Sequence, residues 1–228
     1  MAHGKRRHGA ERGESFDLLS VSHAELHGTN SDDITRVAQR AAQLIAEGLT
    51  DYRAAKLKAA RQLGIDARAA MPDNNAIDAA LRSHYALFAC ESQPQALAAL
   101  RDIATTVMSR LRAFEPWLVG PVLTGTANSN SDIDIDIEMI GIDPKRFEMY
   151  LLDSGIAFTL REPLRRRGGK GSTDGRLTFA TEFDNVPVLI THFESHAARL
   201  AAHPRGSIRH ERAQLAEAKV RFAAVSKP

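Results

Sequence analysis

Apolar side chains recur every three or four positions over residues 31–114, which is the spacing of amphipathic helices. The first such segment has Asn30 or Ser31 as its predicted cap and Gly48 as its end, and three more segments follow. Four helices joined by short connections favour an antiparallel bundle. We therefore predict a helical domain over residues 31–114, with the apolar stripes forming its core.

After Pro116 the pattern changes, because β-branched residues and glycine replace alanine. We predict a short extended segment near Trp117 and a turn or helix start at Gly120. A strand is predicted from Asp132 to about Ile140, since apolar and acidic residues alternate there.

Two further strands are predicted on either side of Asp184-Asn185, a dipeptide typical of two-residue hairpin turns. Such a turn fixes the register of the two strands, because each residue then faces a defined partner. The implied pairs are Phe183 with Val186, Glu182 with Pro187, and Ala180 with Leu189.

Helical spacing returns over residues 143–156 and from Ser207 to about Phe222. The expected fold class is α/β (α+β), in which an N-terminal helical bundle precedes a small mixed-sheet core. We assign the core to residues 115–195 and a C-terminal helix to the segment 196–228.

Composition adds limits but no function. Residues 1–30 are rich in Gly, His, Arg, Ser and Glu without periodicity, so we predict a disordered basic tail, with an arm that binds RNA or DNA as the alternative. The net charge of +2 gives no global preference for nucleic acid. A single cysteine, Cys90, excludes an internal disulfide, and no apolar run reaches the length of about 20 residues that spans a membrane. We expect a soluble, cytoplasmic protein.

Acidic residues occupy every second position of the strand that follows the glycines. Asp132, Asp134, Asp136 and Glu138 alternate with three isoleucines, so the carboxylates share one face of the strand. Neighbouring carboxylates repel one another, and a divalent cation removes that repulsion. Mg²⁺ prefers such hard oxygen ligands. The simpler alternative is a half-exposed strand with its acids in solvent.

A turn rich in glycine and hydroxyl groups lies directly upstream of this strand. Glycine lets the backbone approach a phosphate closely, and hydroxyls and helix N-termini donate hydrogen bonds to it. We predict a site for a nucleoside triphosphate here. Its candidate residues are Gly120, Gly125, Thr126, Ser129 and Ser131, with Thr124 as a further donor.

The segment "GPVLTGTANSNSDIDI" resembles the signature of the DNA polymerase beta-like nucleotidyltransferase superfamily, in the form found in small minimal nucleotidyltransferases. The resemblance implies that Asp132 and Asp134 are catalytic and bind two Mg²⁺ ions. It also implies an NTP substrate whose NMP passes to a hydroxyl or phosphate acceptor, for example RNA or protein. The positions that match are Gly120, Gly125, Ala127, Ser131, Asp132 and Asp134.

Three positions depart from the pattern of that superfamily. Pro121 replaces a serine and removes both a hydroxyl and an N–H, and Thr124 replaces an arginine. Leu189 stands where a later strand usually supplies a third carboxylate. Glu182, which faces the same side of the hairpin two positions away, is one candidate substitute, and Asp136 is another.

The missing carboxylate leaves the function open between two classes. The third carboxylate favours deprotonation of the acceptor, and losing a general base costs roughly 10²–10⁴-fold in rate. One reading is therefore a Mg²⁺-dependent nucleotidyltransferase. The alternative is a degenerate homologue that binds nucleotide or RNA as a regulator. A third reading is an interaction protein whose helical bundle docks a partner.

A glycine-rich basic loop lies between the helix over residues 143–156 and the hairpin. Arg165 and Lys170 are the candidate phosphate-binding residues, in a cluster with Arg161, Arg166 and Arg167. The alternative is a solvated loop.

The histidines give no metal motif. The spacing around His192 and His196 does not match the helical zinc motif HExxH, and we expect His203 and His210 to lie on the surface.

Overall fold

The computed structural model describes residues 21–49, 51–141, 143–161, 176–203 and 207–225 of the chain. Within these ranges eight α-helices and one six-stranded mixed sheet form a mixed α/β architecture, so the predicted class is confirmed at that level. The helices are α1 (Val21–Ala46), α2 (Tyr52–Leu63), α3 (Asn74–Phe88), α4 (Ser92–Arg110), α5 (Gly120–Thr124), α6 (Pro144–Asp153), α7 (His196–Ala202) and α8 (Leu215–Val225). The strands are β1 (Trp117–Val119), β2 (Ile133–Glu138), β3 (Phe158–Arg161), β4 (Arg176–Phe183), β5 (Val186–Phe193) and β6 (Arg212–Gln214).

The first three helices share one apolar core. Asp51 and Asp73 cap α2 and α3 by accepting hydrogen bonds from backbone amides in the first turn of each helix. Small alanines let α1 and α2 approach closely, and larger side chains of α3 fill the remaining space. The buried members include Val37, Ala41, Leu44, Ala55, Ala59, Ile77 and Leu81.

The start of α1 differs from the prediction. The helix begins at Val21, so a cap at Asn30 or Ser31 is wrong and residues 21–30 of the expected tail are helical. Residues 1–20 of that tail lie outside the described ranges.

The fourth helix does not complete a bundle with the other three. Leu100, Ala104 and Val107 of α4 are buried in the core that contains the isoleucines of β2. Its apolar stripe is where periodicity places it, but the stripe packs on the sheet. The four-helix bundle is therefore corrected to three helices with a shared core and a fourth helix on the sheet.

The strand order in the sheet is β3-β4-β5-β2-β1-β6, and β2 and β5 are its parallel pair. The hairpin between β4 and β5 confirms the predicted register, with Ala180 opposite Leu189. Asp184 and Asn185 both have positive φ (51° and 62°), as a two-residue turn of this kind requires.

The C-terminal segment contains more elements than predicted. Instead of one helix from Ser207 to Phe222, a turn follows Ser207, β6 pairs antiparallel with β1, and α8 begins only at Leu215. The short helix α7 and the edge strand β3 were also not predicted. Strands of three or four residues are too short for periodicity to identify.

The sheet separates two environments. On one face the three isoleucines of β2 are fully buried beneath α4 and α6. On the other face the acidic residues of β2 meet α7 and the segment before β6. Within the described ranges, every helix is too short or too polar to cross a lipid bilayer.

Candidate functional site

The carboxylates of β2 are buried rather than solvated. Asp134 is 6% exposed and Asp136 is 1% exposed, which excludes the simple picture of a strand with its acids in water. Asp132 directly precedes β2 and is half-buried. Buried ionised carboxylates require compensating charge or hydrogen bonds, because water no longer solvates them.

Arg209 supplies that compensation for Asp134. Its Nη2 atom donates to Oδ1 at 2.6 Å and its Nε atom donates to Oδ2 at 3.1 Å, so both carboxylate oxygens are engaged. This bidentate arrangement is the strongest form of ion pair between side chains. Burial raises the pKa of the Asp134 carboxyl, and the charge and hydrogen bonds of Arg209 oppose that shift.

Arg199 of α7 holds Asp136. Its Nε atom lies 2.9 Å from Oδ2, and its Nη2 atom donates to the carbonyls of Arg209 and His210. Arg199 thereby links the acidic strand to the turn that carries Arg209. His203, which was expected at the surface, is 5% exposed and lies with Nε2 3.5 Å from the same Asp136 oxygen.

Glu138 ends the acidic row with three basic residues within 4.0 Å, of which Arg199 is the most distant. Arg212 of β6 forms an ion pair with it, and Nδ1 of His196 lies 3.2 Å from Oε1. The guanidinium of Arg212 also stacks over the ring of Trp117 at 3.9 Å. Each acid of β2 therefore faces at least one arginine from the C-terminal part of the chain.

The glycine bend lies directly against the acidic strand. Gly120 has a φ of +74°, and a Cβ atom built there would lie 2.6 Å from Oδ2 of Asp134. The structure therefore places the glycine bend directly against the Asp134 carboxylate. Only glycine fits this position, both for its backbone conformation and for the close approach.

The amides of the predicted phosphate turn are already in use. The backbone N–H groups of Gly125, Thr126 and Ala127 all donate to the carbonyl of Pro121, at 2.9, 3.0 and 3.2 Å. The hydroxyls of Thr124 and Thr126 lie 3.1 Å apart and bond each other. These groups close the turn on itself.

The rest of the turn joins the sheet to the N-terminal helices. Asn128 donates to the hydroxyl of Tyr85 (3.0 Å) and to the carbonyl of Ala46 (3.4 Å). Ser131 accepts from the amide of Asn128, while Ser129 is exposed. Of the hydroxyls predicted to bind triphosphate, only that of Ser129 is open to solvent and makes no hydrogen bond to another described residue.

Leucine occupies the position at which a third carboxylate is expected. Register places Leu189 directly beside Asp134, where a carboxylate would complete the acidic group. Glu182 lies on the same face by alternation, but it pairs with Pro187 near the hairpin turn and is exposed. Asp136, the other candidate, is engaged by Arg199.

The basic loop is described only at its first residue. Arg161 ends β3 in an exposed position. Burial raises the pKa of Asp132, and the charge of Arg161 opposes this shift only in part. Arg165 and Lys170, with Arg166 and Arg167, lie outside the described residues.

The fit of two Mg²⁺ ions can be tested on these contacts. Both oxygens of Asp134 are bound by Arg209, and no three potential ligands converge on one point within the described ranges. Among the four acids of the row, only Asp132 makes no hydrogen bond or ion pair with a described residue. A two-metal site does not fit while Arg209 occupies Asp134.

Sequence reasoning missed the three arginines that neutralise the strand. They lie 63 to 75 residues beyond the acids they bind. The available signal was the basic segment between residues 199 and 212, which follows a strand whose four acids need partners. No family model, no curated protein and no solved structure matches this chain.

Proposed function

We propose that the chain is a nucleotidyltransferase-like protein that binds nucleotides as a regulator and transfers nucleotidyl groups poorly. The observation that carries this proposal is the bidentate ion pair between Arg209 and Asp134, in the position where the resemblance implies a metal ligand. The N-terminal helical unit and the mixed-sheet core are assigned to this class by the resemblance.

Two features support the nucleotidyltransferase-like assignment. Gly120 lies against the carboxylate of Asp134, and the resemblance implies that this glycine and this aspartate belong to one site. Leu189, which stands where the superfamily usually supplies a third carboxylate, lies beside Asp134 in the parallel register. The same substitution supports weak catalysis, because no described carboxylate takes its place.

The ligand class follows from the charges at the rim. The side chain of Arg209 is 37% exposed, and the exposed Arg161 acts on Asp132 from the edge of the sheet. Arginine binds phosphate in the same bidentate manner as carboxylate, so a nucleotide phosphate competes with Asp134 for Arg209. Binding of this kind needs no metal.

Calorimetry with ATP in EDTA tests the proposal. We expect Asp134→Asn to bind ATP several-fold more tightly than the wild type, because Arg209 is then released from its ion pair. Arg209→Gln should lose most of the affinity. Arg36→Gln, which removes an exposed arginine paired with Asp33 on α1, is the matched control and should leave binding unchanged. Loss of binding in Asp134→Asn would contradict the proposal.

An active Mg²⁺-dependent nucleotidyltransferase is the second candidate, and Asp132 favours it, because its carboxylate makes no hydrogen bond or close ion pair with a described residue. It requires Arg209 to leave Asp134. Incubation with labelled NTPs and total cellular RNA or protein separates the two. Label transfer that Asp132→Asn abolishes would replace the regulator by the enzyme. If binding is seen with RNA alone and not with ATP, nucleotide regulation is excluded.

A further inference from the structure

A cleft of about 470 Å³ is lined in part by Ser207, Ile208 and Glu211, which belong to the segment that carries Arg209. Ile208 lines the cleft, whereas the next residue, Arg209, bonds Asp134. The other walls come from α3, α4, α5 and α8. Its volume lies within the range of small-molecule sites.

Two arginines line this cleft without a close ion pair. Neither Arg82 nor Arg101 lies within 4.0 Å of a carboxylate oxygen of a described residue, although burial raises the pKa of the nearby Asp78 and the charge of Arg82 opposes that shift. Arg101 is partly buried, its guanidinium lies 4.4 Å from the centre of the Phe222 ring, and its Nε atom makes a long contact of 3.4 Å to the carbonyl of Val122. Burial lowers the pKa of Arg101, and no neighbouring acid opposes this. A partly buried cation without a counter-ion loses part of its hydration, and a bound anion would compensate for that loss.

The remaining charges of the cleft are organised around this pair. Arg221 and Glu211 also line the cleft, and Arg221 is engaged by both Glu211 and Glu217. This leaves Arg82 and Arg101 as the cleft arginines without a close ion pair to a described residue. Asp78 is 6% exposed and accepts a 2.6 Å hydrogen bond from the Tyr52 hydroxyl at Oδ1. Its carboxylate lines the cleft and can accept a further hydrogen bond.

We infer that this cleft binds a small phosphate monoester, with Arg82 and Arg101 holding the phosphate and Asp78 accepting a hydrogen bond from a hydroxyl or amino group of the ligand. The site is separate from the acidic strand and does not depend on the proposed function. Sugar phosphates and mononucleotides share this chemistry, and the experiment distinguishes them.

Calorimetry in EDTA, with ribose 5-phosphate, AMP and inorganic phosphate as probes, tests the inference. We expect ribose 5-phosphate or AMP to bind, and ribose and adenosine to give no detectable heat. Whichever monoester binds more tightly identifies the source. Arg82 is exposed, so Arg82→Gln should fold and should weaken monoester binding about tenfold or more.

Arg110→Gln is the matched control. Arg110 lies on α4 like Arg101 and has its guanidinium 5.5 Å from the centre of the Phe183 ring, but it does not line the cleft. We expect this variant to bind like the wild type. Asp78→Asn should weaken ribose 5-phosphate more than inorganic phosphate.

Two results would overturn the inference. One is equal binding of adenosine and AMP, or of wild type and Arg82→Gln. The other is monoester binding that is lost in Arg209→Gln but unchanged in Arg82→Gln. That result would place the ligand at the acidic strand and leave the proposed function intact. Conversely, ATP binding that fails to respond to Asp134→Asn and Arg209→Gln removes the proposed function without touching the cleft.

Discussion

Nε of Arg199 lies 2.9 Å from Oδ2 of Asp136, and both side chains are 2% exposed. This is the most buried of the ion pairs between the C-terminal segment and β2. A charge in this position is tolerated only because its partner is present. The acidic strand is thus neutralised by arginines that lie more than 60 residues later in the chain.

Arg199→Met should therefore destabilise the protein by about 3–5 kcal/mol, since it leaves Asp136 buried without its partner. Denaturant unfolding measures the change. Adding Asp136→Leu should recover part of the loss, but not all, because Arg199 also donates to two backbone carbonyls. Arg221→Met breaks an exposed pair and should cost about 1 kcal/mol or less. Equal losses for the two arginines would contradict the role assigned to Arg199.

Gly120→Ala should destabilise the fold more than Gly141→Ala, although both glycines have positive φ (74° and 70°). A left-handed residue with a Cβ costs about 1–2 kcal/mol at either position. At Gly120 the new methyl also meets Asp134 at 2.6 Å, while nothing lies within 4 Å at Gly141. We expect an extra loss of about 1–3 kcal/mol, typical of overpacking.

Combining Gly120→Ala with Asp134→Ala checks the origin of that extra loss. The combined cost should be smaller than the sum of the two single costs, because the second change removes the clashing carboxylate. Additive costs would mean that the close approach does not determine the effect.

Local chemistry was sufficient to predict the hairpin and the acidic face. Asp184 and Asn185 tolerate positive φ, and strict alternation fixes which residues of β2 share a side. These features depend on spacing within a few residues, which the chain displays directly.

The packing partners could not be predicted in the same way. Periodicity identified the apolar stripe of α4, but a stripe does not reveal whether it meets a helix or a sheet. Arg199 and Arg209 reach β2 across more than 60 residues, and no local pattern encodes that distance. His203 was expected at the surface, whereas its ring packs edge-on against Phe193.

Leu189→Asp should create a metal site if Arg209 is removed as well. In the double variant with Arg209→Gln, the introduced carboxylate lies beside Asp134, and repulsion should lower the melting temperature in EDTA. Mg²⁺ at ten times its Kd should then raise stability by about 1.4 kcal/mol. Leu189→Asn in the same background adds no charge and should show no Mg²⁺ effect. An equal response of both variants would exclude a site at this position.

His192 should make stability fall as the solution becomes more acidic than its ordinary pKa of about 6.5. The side chain is 1% exposed and lies beside Ile137 in the sheet. Burial lowers its pKa, and the backbone of Met139 and the charge of Glu194 oppose this only in part. Below pH 6.5 the unfolded chain therefore binds a proton that the folded chain excludes. The free energy of unfolding then decreases by up to about 1.4 kcal/mol for each pH unit of acidification.

His192→Leu should remove this dependence. Denaturant unfolding between pH 5 and 7 should show that the variant loses less stability on acidification than the wild type. The difference between the two proteins is the relevant quantity, because the raised pKa of Asp134 makes stability change in the opposite direction in both. Ile137→Val, a change of about 0.5–1.5 kcal/mol at the neighbouring position without a titratable group, should keep the slope of the wild type. A slope that is the same with and without His192 would show that the imidazole is not the group that takes up the proton on unfolding.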